Sequence, residues 1–432
     1  MRLLKVTLAI FFAAGICSNA HAIDATCDAL APSAALTVTA AVQRVMACNR
    51  DVLAAQRAVV GSRADLRVAG QTPNPTLSVG AGSISPSSGI GSGPLWRKTL
   101  DSSLRLEQLL ERGGKLDLRK RAAQHLVSAA RQDVAEVTRQ QGLNALQALV
   151  DLATADDRVA VLEDIARLYN ESRLANERRT ARGDLAPIDA QRQAIESIRA
   201  EGDLKQAAAD AMKARLALAG LLALEPVAAT LKVDPSVFEL AESASLPQDV
   251  EARADVAAAR SRVDAAHASR DLARAQATAD VTVGLQLDHW PTSAANPVGT
   301  GNTFSVTLSV PLMWRHRFDG ELAHAISDSD AAEETLARVL ASAQAERSRL
   351  DNDLAAALAH QQLLNLRLAP QAEQVARAAE LGHAKGALNL LEVLDARRVL
   401  RQTRLDLLAA RADVARAEFA RRRWTASLDT PL

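Results

Sequence analysis

The sequence predicts a mainly helical protein with a small β part, built as two copies of one structural plan. Three observations carry this. After Gly113-Gly114 the chain runs to about Arg182 with no proline and almost no glycine, the pattern of one very long helix that would reach roughly 100 Å at helical rise. Two pairs of short segments alternate apolar and polar residues with period two. The chain also matches itself at an offset near 204 residues.

Composition agrees with long helices. Of the 432 residues, 48% are hydrophobic but only 3% aromatic, so Ala and Leu must do the packing. The charged residues, 51 basic and 51 acidic, suit solvated helix faces, and a net charge near zero gives no support for nucleic-acid binding. Residues 1–22 read as a secretory signal peptide: Arg2 and Lys5, an apolar run from Leu3 to Ile16, and the small-x-small site Ala20-His21-Ala22 before Ile23. The rival reading lipidates Cys17, but Ile16 sits where a small residue is needed. No later run of eighteen apolar residues predicts a membrane helix. An exported chain meets an oxidising compartment, where Cys27 and Cys48 either bridge, tacking the N-terminal segment to the first helix, or remain buried thiols.

The internal repeat defines the organisation. At offset 204, Asp51-Val52 falls on Asp255-Val256, Val59 on Val263, Ala64 on Ala268 and Val79-Gly80 on Val283-Gly284. The offset slips to 202 for Ser103 on Ser305 and Leu106 on Leu308, then becomes 203, where ARGDLAPID from Ala181 matches AKGALNLLE from Ala384. Residues 23–222 form the first repeat, with a β-hairpin about 75–111 and a helical turn about 182–187. Residues 223–432 form the second, with a hairpin about 279–314 and a turn about 385–390. Each copy begins with a helix, about 37–70 and 250–275.

The strands are clearest in the second copy. Val281, Val283, Leu285 and Leu287 alternate with Thr282, Gly284 and Gln286; Phe304, Val306, Leu308, Val310 and Leu312 alternate with Ser305, Thr307 and Ser309. Leu77, Val79 and Ala81, then Leu104 and Leu106, give a weaker first copy. One-sided alternation fits either a small sandwich or a membrane barrel wall. The barrel is preferred because nothing else in the chain supplies a partner sheet. Trp96, Trp290, Phe304 and Trp314 also lie near strand ends, where interfacial aromatics belong.

With these features in place, the chain resembles the TolC family of outer-membrane efflux channels. The resemblance rests on the doubled plan, LEQLLERGGKLDLR at Leu106 to Arg119, RADVAAA opening the second copy, and LAPQAEQVARAAELGHAKGALNLLEVLDARR at Leu368 to Arg398. The ERGGK element is similar to the branch serving cobalt–zinc–cadmium and copper–silver resistance. The resemblance implies a homotrimer whose twelve-stranded membrane barrel continues as a periplasmic helical barrel. It further implies an outer-membrane location, lipid around the barrel, and two protein partners: a periplasmic adaptor and an inner-membrane pump of the resistance–nodulation–division class. Gly113 and Gly114 would then mark the change from membrane strand to periplasmic helix, where glycine allows unusual backbone angles.

No catalytic or cofactor-binding constellation stands out: there is no phosphate loop, HExxH, CxxC or nucleophile elbow, and the eight histidines are scattered singly, His316 and His324 among them. His383 reads as a solvated side chain. Gly183, Asp184 and Leu185, with Gly386, Ala387 and Leu388, mark two helix reversals. As local chemistry, each glycine ends a helix and Asp184 or Asn389 caps the next; the resemblance adds adaptor contact at these tips. Glu392 and Asp395 share one helical face. The resemblance makes them a pore gate, six carboxylates in a trimer. The local alternative is a capping box from Asn389 to Glu392, with Asp395 paired to Arg398. The expected function is a passive duct for heavy-metal cations. A duct for drugs or secreted proteins is the alternative within the family, and a periplasmic adaptor the alternative of another class.

Overall fold

The computed structural model describes residues 27, 35–82, 100–239, 249–292, 298 and 301–424. The expected signal peptide, Cys17, Trp96 and most of the two hairpin connections lie outside them. The helices are α1 (Val38–Cys48), α2 (Arg50–Ala69), α3 (Lys115–Ala181), α4 (Pro187–Leu222), α5 (Ala254–Gln276), α6 (Asp319–Leu363), α7 (Ala369–Ala384) and α8 (Leu390–Arg422). The strands are β1 (Thr76–Gly82), β2 (Asp101–Leu110), β3 (Val281–Trp290) and β4 (Gly301–Ser309). Packing divides the chain into two compact units, each drawing on both repeats: Met1–Ala54, Val137–Pro247 and Glu346–Leu432 in one, Ala55–Glu136 and Gln248–Ala345 in the other.

The second of these units holds a single antiparallel sheet in the order β1-β2-β3-β4. Its register aligns the apolar positions across all four strands: Val79 faces Leu104, Leu104 faces Leu287, and Leu287 faces Phe304. One row along, Leu77, Leu106, Leu285 and Val306 do the same. All eight of these side chains are exposed. The alternate positions carry Ser78, Arg105, Gln286 and Ser305, with Arg105 paired to Glu107 at 2.5 Å and Gln286 donating to Asp288 at 2.8 Å. One face is therefore apolar and bare, the other polar and internally bonded. The strand expected to reach Leu312 stops at Ser309. Pro311 has no N–H to offer a ladder, so Val310 and Leu312 leave the sheet.

The two strand-to-helix junctions solve one problem differently. Gly113 and Gly114 adopt φ of 72° and 69°, and a side chain on Gly113 would also meet Thr278 at 3.1 Å. Around them Lys115 donates to the Thr278 carbonyl and to Asp280, both at 2.8 Å. Arg119 grips Glu111 at 2.8 and 3.1 Å and reaches the Ala69 and Gln71 carbonyls. The ERGGK segment is thus a knot of backbone and charge. At the second junction, which lacks paired glycines, Phe318 takes the left-handed conformation at φ 64°. Its ring stacks on His316 at 4.4 Å, and α6 starts at the next residue.

In the other unit, large residues from one helix meet small ones from the next. Leu146, Leu149 and Leu152 of α3 pack with Leu218, Ala219 and Leu222 of α4, Val45 of α1, and Ala412, Ala415 and Phe419 of α8. Leu and Ala fill most of such an interface, with Phe419 the one aromatic among these residues, which accounts for the aromatic-poor composition. Cys27 and Cys48 form a disulfide, their Cα atoms 5.6 Å apart. Buried Arg44 fastens this corner: its guanidinium donates to the carbonyls of Leu222 at 2.7 Å, Ala223 at 3.0 Å and Cys27 at 2.7 Å. It so satisfies the C-terminal carbonyls of α4 that a helix end leaves open. Between α6 and α7 lies one π turn, Leu364–Leu368. Pro370 cannot follow an ordinary α turn without clashing with the carbonyl four residues back, and the wider turn makes room.

Candidate functional site

Both helix reversals have one geometry, copied at an interval of 203 residues. Gly183 and Gly386 sit at φ 81° and 75°. The Asp184 N–H donates to the Arg179 carbonyl at 2.9 Å, and the Ala387 N–H to the Gly382 carbonyl at 2.8 Å. Each bond closes the end of a helix on carbonyls it would otherwise leave unpaired. Gly183, Asp184, Gly386 and Ala387 are exposed, while Leu185 and Leu388 are half-buried. Leu388 folds back so tightly that a Cβ on Gly382 would meet it at 2.7 Å.

Departures from the expected turn chemistry are local. Asp184 does not cap the following helix: α4 opens with Ala186 at its N-cap and Pro187 in the first turn, with no side-chain bond. A proline whose missing N–H would be unpaired anyway removes the need for a cap. Asn389 does cap α8. Its side chain accepts from the Glu392 N–H at 3.0 Å, and the Glu392 carboxylate accepts from the Asn389 N–H at 2.9 Å. His383 is not simply solvated, since its ring nitrogen lies 3.0 Å from the Leu388 carbonyl and braces the second tip.

Glu392 and Asp395 are both exposed and border one open groove between α7 and α8, with Val375, Leu388 and Val399. The ion pair of Arg398 is with Glu196 of α4, at 2.5 Å, while Asp395 acts on it only through its charge. Glu196 also takes Arg199 at 2.9 Å, and its own side chain is only 5% exposed. The hydrogen bond from Arg398 holds the Glu196 carboxyl below the usual glutamate range, against the opposing effect of burial. Sequence reading missed this clamp, because its partners are 202 residues apart. It also missed Ile188 and Leu391, exposed apolar residues one turn beyond each reversal; the 203-residue repeat that pairs the glycines pairs these two as well.

An amphipathic four-stranded sheet with one bare apolar face, carried in one chain with long paired helices, defines a class: an outer-membrane channel subunit. Comparison with known proteins makes that specific. Residues 246–423 match the family described as outer membrane efflux protein. The chain is similar to the cobalt-zinc-cadmium resistance protein CzcC of Cupriavidus metallidurans, 26% identical over 375 residues that cover 86% of each protein. Among solved structures it is similar to the outer membrane protein VceC of Vibrio cholerae, with a TM-score of 0.74 and 18% identity over 91% of this chain and 97% of that one. The transmembrane channel CusC gives a TM-score of 0.70 and 19% identity, covering 90% and 92%. The second half of the chain thus carries the outer membrane efflux protein domain, and the whole has the TolC-like fold. It is an outer-membrane efflux channel.

Proposed function

We propose that this channel is the outer-membrane duct of a tripartite system that exports heavy-metal cations, working as a homotrimer with a periplasmic adaptor and a resistance–nodulation–division pump. The observation that carries the cargo is the similarity to a cobalt-zinc-cadmium resistance protein along 86% of both chains. Trimeric assembly is supported by the sheet, whose outer strands β1 and β4 each pair on one side only among the described residues. An open edge in lipid leaves backbone groups unsatisfied at several kcal/mol each, so further copies must supply the missing strands. Glu392 and Asp395 are assigned as the pore gate. Repeated around a threefold axis they give six carboxylates, a ring that attracts and retards cations. Gly183, Asp184, Leu185, Gly386, Ala387 and Leu388 are assigned to adaptor contact, with Ile188 and Leu391 beside them.

The test is restoration of metal tolerance. A host that keeps its pump and adaptor but lacks the channel should regain growth on cobalt, zinc or cadmium when this chain is expressed. Restored tolerance to drugs or restored protein secretion, with metal sensitivity unchanged, would reassign the cargo. A stable folded monomer by mass measurement in detergent would sink the trimer.

A further inference from the structure

We propose that the cavity enclosed by α3, α7 and α8 is a binding site for a small multivalent oxyanion of the phosphate and sulfate class. The cavity has a volume of about 470 Å³ and is lined by Tyr169, Arg377, Arg397, Arg401, Arg404 and Glu380, among others. Tyr169 is the only tyrosine of the chain. The residue is 4% exposed, yet its hydroxyl has no hydrogen-bond partner among the described residues. A buried hydroxyl left unpaired is costly, so a site that strands one needs a ligand to complete it. Burial raises the pKa of this phenol, so it is protonated at neutral pH and able to donate.

The surrounding charge gives the ligand its sign. Arg397 is engaged by Glu380 at 2.8 Å and by Ser172 at 3.2 Å, and Arg401 by Asp203 at 3.2 Å. Arg377 has only a long contact to Glu373, 3.8 Å. Arg404 pairs with none of the described residues. Four guanidinium groups against Glu373 and Glu380 leave the lining two positive charges in excess. Arg401, Arg397 and Arg398 act electrostatically on the Tyr169 hydroxyl, opposed by the carboxylate of Glu196. The free capacity is therefore mostly donors, the guanidiniums of Arg377 and Arg404 and the Tyr169 hydroxyl, and they come from three helices. A planar carboxylate offers two oxygens in one direction; a tetrahedral oxyanion offers acceptors to every side and suits the guanidinium fork. Bound there, it would tie α3 of the first repeat to α7 and α8 of the second.

The lone tyrosine makes the test direct. Full-length protein carrying 3-fluorotyrosine has one protein fluorine signal, which is followed while phosphate or sulfate is titrated against chloride at equal ionic strength. A saturable shift with both oxyanions is expected, weakened at least tenfold by Arg404→Gln and unchanged by Arg349→Gln on the exposed surface. In unlabelled protein, phosphate should raise the melting temperature of wild type more than that of Tyr169→Phe. Without phosphate, Tyr169→Phe should melt at or above wild type, having lost only a stranded hydroxyl. A shift no larger than that given by chloride overturns the proposal, and so does a shift that survives Arg404→Gln. Lower stability of Tyr169→Phe in phosphate-free buffer also overturns it, because the hydroxyl would then already have its partner.

Discussion

Arg398 of α8 and Glu196 of α4 meet in a two-pronged contact, Nη2 to Oε1 at 2.5 Å and Nε to Oε2 at 3.4 Å. The pair joins the first helical hairpin to the second, with Arg199 completing the carboxylate at 2.9 Å. Because the folded pKa of Glu196 is depressed, its contribution is whole above the ordinary glutamate range, near pH 4, and is lost as pH falls through the folded value. Glu196→Gln should therefore cost about 1–3 kcal/mol at neutral pH, and the gap between the two proteins should close in acid. Melting temperatures measured between acid and neutral pH check this. A gap that stays constant would show that ionisation of Glu196 is not its source.

The gate assignment needs a substitution that removes charge without removing a cap. Glu392→Ala would do both, since the carboxylate also accepts from the Asn389 N–H; losing a cap costs about 0.5–2 kcal/mol. Glu392→Gln with Asp395→Asn keeps that bond and deletes the charges. The double variant should melt as wild type but conduct more in planar bilayers, with weaker divalent-cation block. Wild-type conductance and block would reduce the two residues to a cap and a surface charge.

The paired glycines of the first junction should not be equivalent. Both have positive φ, which costs a side chain about 1–2 kcal/mol. Only Gly113 also presses on Thr278 and, at 3.3 Å, on the Ala275 carbonyl; nothing lies within 4 Å of a Cβ on Gly114. Gly113→Ala should lower stability clearly more than Gly114→Ala. Equal losses would mean that backbone conformation alone sets the requirement.

Cysteine labelling tests the N-terminal corner. Unfolded wild type should take up no alkylating reagent at Cys27 or Cys48 until reductant is added. Arg44→Ala should destabilise by at least about 2 kcal/mol, since it strands buried carbonyls at the end of α4. A smaller loss would mean that water replaces the guanidinium.

On the sheet, neighbouring positions should behave oppositely. Val306→Arg places charge on the bare apolar face, at a cost of about 2–4 kcal/mol near the middle of a bilayer. Ser305→Arg, one residue away on the polar face, should insert normally. Membrane fractionation of the two variants distinguishes them, and equal insertion would show that the apolar face does not meet lipid.

How much of this was legible in the sequence depends on the range of the interaction. The period-two strands, the long helix and the turn glycines are local patterns, and each lies within a few residues of its expected position. Strand β4 was overextended because alternation continues through Val310 and Leu312, while the missing N–H of Pro311 overrides it. The second junction gave no glycine signal because Phe318 itself takes the left-handed conformation, its ring stacked on His316, a contact no composition rule anticipates. The Glu196 clamp and the arginine-lined cavity depend on helices brought together from both repeats. A self-comparison aligns those repeats but does not say that they touch.

The bare face shared by Leu77, Leu106, Leu285 and Val306 has a consequence for biogenesis. In the proposed export route a single subunit would carry this oily surface, and two sheet edges unpaired among the described residues, through an aqueous compartment where both invite wrong partners. In the trimer proposed above, membrane insertion and association with sister chains would therefore be one event.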